Sequence, residues 1–318
     1  PASATSKELG KLDANLLNCP GDGLVIGASD ITLDCNYNII SGDDLGEDSG
    51  VYINSLHNVT IKNCIVIDFG SGINLNSSVN NTITNNNINS NSNGIYLGWW
   101  SNNNNIIENY VVSNTDYGIL LYPYSDNNII TENHVSNNDN GIHLDRSDNN
   151  TLLRNTVTSS TDEGIALYYD SNSNMVLENT ISSNFWGVFG DVTNRNVIEG
   201  NNISLNGLGI YMLISGGGYF YSNIIRDNTI TNNNGSGIRI GLTGGSYPTN
   251  DVIITNNTIT NNNGGGINIG SNVQGLKIIG NNISSNGYNG IYYSQYCDIT
   301  HPCNNHTITN NIINNNGR

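Results

Sequence analysis

Positive charge is scarce in this chain. Ten Lys and Arg stand against 26 Asp and Glu, giving a net charge of −16 and a sequence pI near 4.3. Nucleic acids and anionic lipid surfaces both select basic patches, so neither is an expected partner. Long apolar runs are missing too. None approaches the roughly 20 residues that a helix needs to cross a bilayer, so helical membrane insertion is not expected. Soft metal ligands are few, with five His and two Met and no cluster of them, which argues against copper handling. The apolar residues Ile130, Val135, Ile142 and Leu144 of residues 127–150 fit no helical face, and a hydrophobic content of 36% is thin for a globular core.

Asparagine fills the space, at roughly a fifth of the chain and far above ordinary usage. In "NNIITENHVSNNDNGIHLDRSDNN", residues 127–150, the aliphatics Ile130, Val135, Ile142 and Leu144 are islands among Asn, Ser, Asp and Gly. That pattern describes very short strands joined by tight turns. A Gly-aliphatic pair recurs at Gly50, Gly72, Gly94, Gly118, Gly141, Gly164, Gly187, Gly209, Gly237, Gly266 and Gly290. A second marker keeps step with it, an Asn or Cys followed two residues later by Ile or Val. It runs through Cys64, Asn86, Asn109, Asn133, Asn155, Asn179, Asn201, Asn228, Asn257 and Asn281.

A period of this kind means stacked units, none of which can bury its apolar face alone. Leucine-rich repeats share the period but need a leucine consensus that is absent here. Parallel strands are connected with a right-handed crossover in nearly all cases. The expected fold is therefore all-β, a single-domain right-handed parallel β-helix of about twelve rungs with three short strands per rung. It spans residues 19–318, with loop insertions near 213–223, 241–250 and 294–304, while residues 1–18 form either a cap over the first rung or an extended arm. Stacked at a bend, identical Asn side chains can donate to one neighbouring rung and accept from the other, and Asn also tolerates left-handed backbone there. Cys64 occupies such a position and reads as a small buried thiol.

The chain opens without an initiator Met or an apolar leader, as expected after removal of a signal peptide. At the other end no capping segment follows "TITNNIINNNGR", so either further chain or another subunit is expected to cover the last rung. Cysteine usage fits an extracellular location. Cys19 and Cys35 bracket the first rung and Cys297 and Cys303 bracket an insertion, so two disulfides are expected. The alternative for the latter is a metal site of Cys297, His301, Cys303 and His306, whose spacing matches no standard zinc pattern. Sequons stand at Asn58, Asn76, Asn80, Asn149, Asn202, Asn234, Asn256, Asn282 and Asn305, open to glycosylation.

Three groups of residues are candidates for a site. Aromatic pairs follow the third strand on nearby rungs: Trp99 and Trp100, Tyr122 and Tyr124, Tyr168 and Tyr169. Such rings suit sugar stacking or subunit contacts, or simply brace the turn. Aligned rungs bring Asp145 and Asp191 into one outward column with Asp170 displaced, and Arg146, Arg195 and His143 nearby. A carboxylate pair is what glycoside hydrolysis needs, yet Asp is also an ordinary turn residue. The turn "GDDLGEDSG" offers Asp43, Asp44, Glu47 and Asp48 to calcium, although the spacing is not that of an EF-hand and a solvated acidic turn accounts for it. No cofactor is expected.

"DITLDCNYNIISG", "NVTIKNCIV" and "SNNDNGIHLDRSDNNTLLRN" resemble the NosD-like β-helix repeat proteins, also described as carbohydrate-binding and sugar-hydrolase (CASH) domains. The resemblance covers nearly everything from residue 19. It implies the fold and a surface or secreted location, and it implies no single activity, since the group spans lyases, epimerases, hydrolases, a copper-site assembly factor and surface proteins. The expectation is a non-catalytic cell-surface protein that associates with copies of itself. The alternatives are a polysaccharide-processing enzyme or a carbohydrate-binding module.

Overall fold

A computed structural model describes residues 2–4, 9–215, 220–243, 249–270, 273–293 and 305–317. The fold is an all-β parallel solenoid whose every rung contributes one strand to each of three sheets. The chain forms two compact units, Pro1–Thr161 and Asp162–Arg318.

In the first unit the first sheet contains Ala2–Ala4, Leu24–Ile26, Ser49–Asn54, Ser71–Asn76, Asn93–Gly98, Tyr117–Tyr122 and Asn140–Asp145. The second and third sheets are built from strands of three or four residues, such as Thr82–Thr84 and Asn87–Asn89. In the second unit the first-sheet strands are Glu163–Tyr168, Trp186–Asp191, Leu208–Ser215, Ile238–Thr243, Ile267–Ile269 and Ile291–Tyr293. Ala2–Ala4, Leu9–Lys11 and Leu16–Cys19 pair in parallel with Leu24–Ile26, Thr32–Asp34 and Ile39–Gly42, so the opening segment lies over the following rung as a rung of its own. A small parallel sheet of Phe220–Tyr221, Thr249–Asn250 and Val273–Gln274 stands outside the three main ones, at places where the period lengthens. The expected insertion at 294–304 lies outside the described residues.

The alternation in each short strand follows from the period of two. Ile61, Ile83, Ile106, Ile130 and Leu152 are the middle residues of second-sheet strands, lie in register and are wholly buried. Each contributes roughly 1.5–3 kcal/mol by leaving water. The recurrent glycine has a steric cause. A Cβ added to Gly94 would sit 2.4 Å from Val111 Cγ1 and 2.5 Å from the Gly118 carbonyl oxygen, so the first strand is pressed against its neighbours there.

Asparagine ladders run along the bends. Asn86 Nδ2 donates to Asn109 Oδ1 at 3.0 Å, Asn109 to Asn133 at 3.0 Å, and Asn133 to Asn155 at 2.9 Å. The backbone N–H of each donor residue bonds the same oxygen, as Asn109 N does with Asn133 Oδ1 at 2.9 Å. Two further columns were not anticipated, Asn81–Asn104–Asn128–Asn150 and Asn91–Asn114–Asn138. In the second unit Asn179, Asn201, Asn228, Asn257 and Asn281 repeat the arrangement. One expectation is corrected. The left-handed residue at these bends is the one before the ladder Asn, for example Asn85 with φ 54° and Glu108 with φ 54°. The ladder side chain points inward to bond backbone, and its neighbour takes the reversal.

The cysteines are also corrected. Cys35 is bonded to Cys64, with 4.7 Å between their Cα atoms, and Cys19 is a free thiol among the described residues. Cys35 and Cys64 stand on adjacent rungs in the same bend column, whereas Cys19 ends a third-sheet strand in register with Gly42, at another corner. The expected Cys19–Cys35 bridge and the expected buried thiol at Cys64 therefore do not occur. Cys297 and Cys303 lie outside the described residues, as does His301.

Candidate carbohydrate-binding face

The outward side of the first sheet carries the chemistry. In Asn93–Gly98, Ile95 and Leu97 point inward and are fully buried, which turns Tyr96 outward between them. Register extends this into a column on the first unit: Tyr52, Asn74, Tyr96, Leu120 and His143. Beside the column lies a groove of about 410 Å³, whose lining includes Glu47, Asn74, Asn93, Tyr96, Asp116 and Tyr117. Asn74 Nδ2 donates to Ser49 Oγ at 3.1 Å and Tyr96 OH donates to the Tyr122 carbonyl at 3.4 Å. Burial raises the Tyr96 hydroxyl above its ordinary pKa, so it stays a donor. A Cβ on Gly98 would lie 2.9 Å from the Tyr96 ring, so the ring rests on that glycine. His143 meets the Tyr117 ring edge-on at 4.9 Å, and burial holds it down to about 4, so it is neutral near pH 7.

The far edge of this face is aromatic. Trp99, Trp100 and Tyr124 are each about half exposed, and all three occupy left-handed backbone, at φ 49°, 65° and 60°. Bulky residues rarely adopt that region and do so at a cost. Trp100 stacks on Tyr124 with 5.7 Å between centroids and 15° between planes, and Trp99 leans on Trp100 at 6.0 Å. The structure thus brings Trp99, Trp100 and Tyr124 into contact, with half-buried Tyr122 in the adjoining strand.

In the second unit, Tyr168 contacts Tyr169 at 5.6 Å and Phe189 at 5.0 Å. Sequence reasoning missed their neighbours. Trp186 stacks on Phe189 at 4.7 Å, and Tyr211 meets Phe189 edge-on at 5.6 Å. The signal was present in "WGVFG" and "GIYML", whose aromatics occupy outward positions next to inward aliphatics. Tyr168 OH donates to buried Glu163 at 2.8 Å, and burial followed by that carboxylate pushes the phenol far up.

The other sequence candidates fare differently. Asp145 pairs with its chain neighbour Arg146 at 3.2 Å, and burial raises its carboxyl while Arg146 partly offsets this. Asp191 is buried in register with Tyr168 and Leu213, and Asp170 is exposed in a left-handed turn at φ 61°. Arg195 turns to Tyr221 OH at 2.8 Å and Ser173 Oγ at 3.3 Å. Among the described residues no three His, Cys, Asp or Glu side chains converge on a metal-sized site. In the turn that carries Asp43, Asp44, Glu47 and Asp48, Asp43 Oδ1 accepts the Leu45 N–H at 3.0 Å. His306 is described and lies against Tyr293 OH. All nine sequons lie off the buried ladders; Asn76 is half-buried and the rest are exposed.

A family model described as a right handed beta helix region matches residues 22–181 and 186–318. The chain belongs to the right-handed β-helix family. Among solved β-helix structures it is similar to the A-module of a mannuronan C-5 epimerase from Azotobacter vinelandii, with 15% identity, a TM-score of 0.68, 96% of this chain covered and 88% of that one. The Dettilon tailspike protein is 18% identical with a TM-score of 0.68 over 81% of this chain, which spans only 57% of the tailspike chain. A periplasmic alginate epimerase is 15% identical with a TM-score of 0.66, covering 91% and 76%. Identities this low show the β-helix and no more. No curated protein matches in sequence.

Proposed function

We propose that this β-helix protein binds polysaccharide along the outward face of its first sheet. The observation that carries the reading is the exposed group Trp99, Trp100 and Tyr124, held on costly backbone just past first-sheet strands whose outward face carries a groove lined by amides, hydroxyls and carboxylates. Aromatic faces meet sugar C–H surfaces, and amides and carboxylates meet hydroxyls. Glu47 and Asp116 would repel an acid sugar, so this groove favours a neutral one. Solved structures similar in fold include epimerases of mannuronan and alginate, which agrees with a polysaccharide ligand better than with the self-associating structural role expected from sequence. A disulfide and a periplasmic relative in fold support a location outside the cytoplasm. Within the β-helix family, the repeat motifs are proposed to be of the NosD-like kind.

Processing of the polysaccharide is a second reading, favoured by the Tyr168–Glu163 hydrogen bond on the first sheet of the second unit. Affinity electrophoresis in gels containing neutral polysaccharides tests binding. Retardation should be seen with the native protein and should weaken about thirtyfold for Trp100→Ala with Tyr124→Ala, given that stacking on a ring contributes about 1 kcal/mol each. Equal mobility in every gel would end the reading. New reducing ends on incubation would add the processing activity.

A further inference from the structure

Acidity thins only toward the end of the chain, since residues 162–206 still hold six Asp and Glu against Arg195 alone. Residues 1–161 hold 17 Asp and Glu against five Lys and Arg, whereas residues 207–318 hold three (Asp227, Asp251, Asp298) against four (Arg226, Arg239, Lys277, Arg318). A polyanion repelled by the first stretch meets no such field in the last.

The second unit has its own groove, of about 400 Å³, where the third-strand turns lead into the first sheet. Its floor is bare backbone. A Cβ on Gly264 would lie 2.5 Å from the carbonyl carbon of Gly235, and one on Gly235 would lie 2.6 Å from the Gly207 oxygen. Its walls are Tyr288 and Tyr292, exposed to 63% and 46%. Asn268 Nδ2 donates to the buried Ser236 Oγ at 2.7 Å within it. Among the described residues no carboxylate lines this groove, in contrast to Glu47 and Asp116 in the first unit.

Arg239 stands next in the same outward column, which runs Tyr211, Arg239, Asn268, Tyr292 in register. Its guanidinium lies over the Tyr211 ring at 5.1 Å. Among the described residues it meets no carboxylate, while Arg226 of the same unit meets Glu199 at 2.7 Å. An exposed guanidinium braced on a ring keeps its planar N–H fork available for two-point contact with a carboxylate.

We propose that this groove is a subsite for a sugar unit bearing a carboxylate. Arg239 takes the carboxylate, Tyr292 and Tyr288 flank the ring, and Asn268 meets the hydroxyls. The proposal rests on the reading of the first-sheet face as a polysaccharide surface, and adds a locus of opposite charge preference.

The test is calorimetric titration of the full chain with a galacturonate oligosaccharide and with the same oligosaccharide after its carboxyls are reduced to alcohols. The acid form should bind about tenfold tighter, the low end for a hydrogen bond to a charged group. Arg239→Gln should abolish that preference and leave the reduced form unaffected, while Tyr292→Ala should weaken both forms. Trp100→Ala should leave the preference intact. Equal binding of the two forms by the native protein, or an unchanged preference in Arg239→Gln, would overturn the proposal even if neutral polysaccharides still bind at the first groove. Conversely, an Arg239-dependent preference without any neutral binding would leave this site standing and remove the reading of the first groove.

Discussion

Cys64 heads an amide column: its backbone N–H donates to Asn86 Oδ1 at 2.9 Å, and its sulfur is bonded to Cys35 on the adjoining rung. Where the ladder of side-chain amides ends, a covalent bond takes over the work of tying rung to rung. The bridge closes a loop across a sequence separation of 29 residues.

Breaking that bridge should therefore loosen the first rungs. Cys35→Ser with Cys64→Ser is expected to lose about 2–4 kcal/mol. Urea unfolding with and without reductant checks it: reductant should shift the native midpoint and leave that of the double variant alone. Cys19→Ser should have no such effect, because Cys19 takes no part in this bridge.

Asn133 is 1% exposed and makes bonds in both directions, accepting from Asn109 and donating to Asn155 Oδ1 and to the Ile106 carbonyl. Asn133→Leu would strand the Asn109 backbone N–H along with the Ile106 oxygen. A loss of about 3–5 kcal/mol is expected, and denaturant midpoints would show it. Asn202→Ala, at an exposed position, should stay within about 0.5 kcal/mol.

Gly94→Ala tests the steric reading of the repeat. With its Cβ 2.4 Å from Val111 Cγ1, the substitution should cost about 1–3 kcal/mol or more. At Gly10 the nearest atom would be 3.7 Å away, and Gly10→Ala should be mild. Similar thermal midpoints for the two variants would show that the column tolerates a methyl.

His143 makes stability depend on pH. Burial lowers it from the ordinary 6.5 to about 4, so between those values the unfolded chain binds the proton that the fold refuses. Its contribution is complete above about pH 6.5 and is lost as pH falls toward 4, on the order of 3 kcal/mol in all. Asp145, raised by burial, acts in the opposite sense and is more stable protonated. Unfolding free energy should fall between pH 7 and pH 4.5, and His143→Gln should flatten that slope. An unchanged slope in the variant would assign the dependence elsewhere.

Much of this architecture is legible in the residues alone. The glycine and asparagine markers locate first strands and bends because both are repeated at every rung, and the inward aliphatics follow from a period of two. The Cys64 ladder position is found by its Val two residues on. Cys35 escapes that marker because its bend is longer: Asn36 and Tyr37 both take left-handed backbone before the strand resumes at Ile39. The aromatic group Trp99, Trp100 and Tyr124 is likewise visible as pairs on nearby rungs, while Trp186, Phe189 and Tyr211 are hidden as ordinary strand residues. Outward parity was right for Asp191, yet the side chain is buried by its neighbours and offers no free carboxylate face.

The sequence by itself determined a coil of three-strand rungs, since period and alternation are properties of the chain read along one dimension. Tertiary structure decided what stands above what. The register between rungs varies with every turn length, and one residue of difference moves a side chain to the other face. For that reason the partner of Cys64, the burial of His143 and the seat of Arg239 on the Tyr211 ring emerge only once the rungs are stacked.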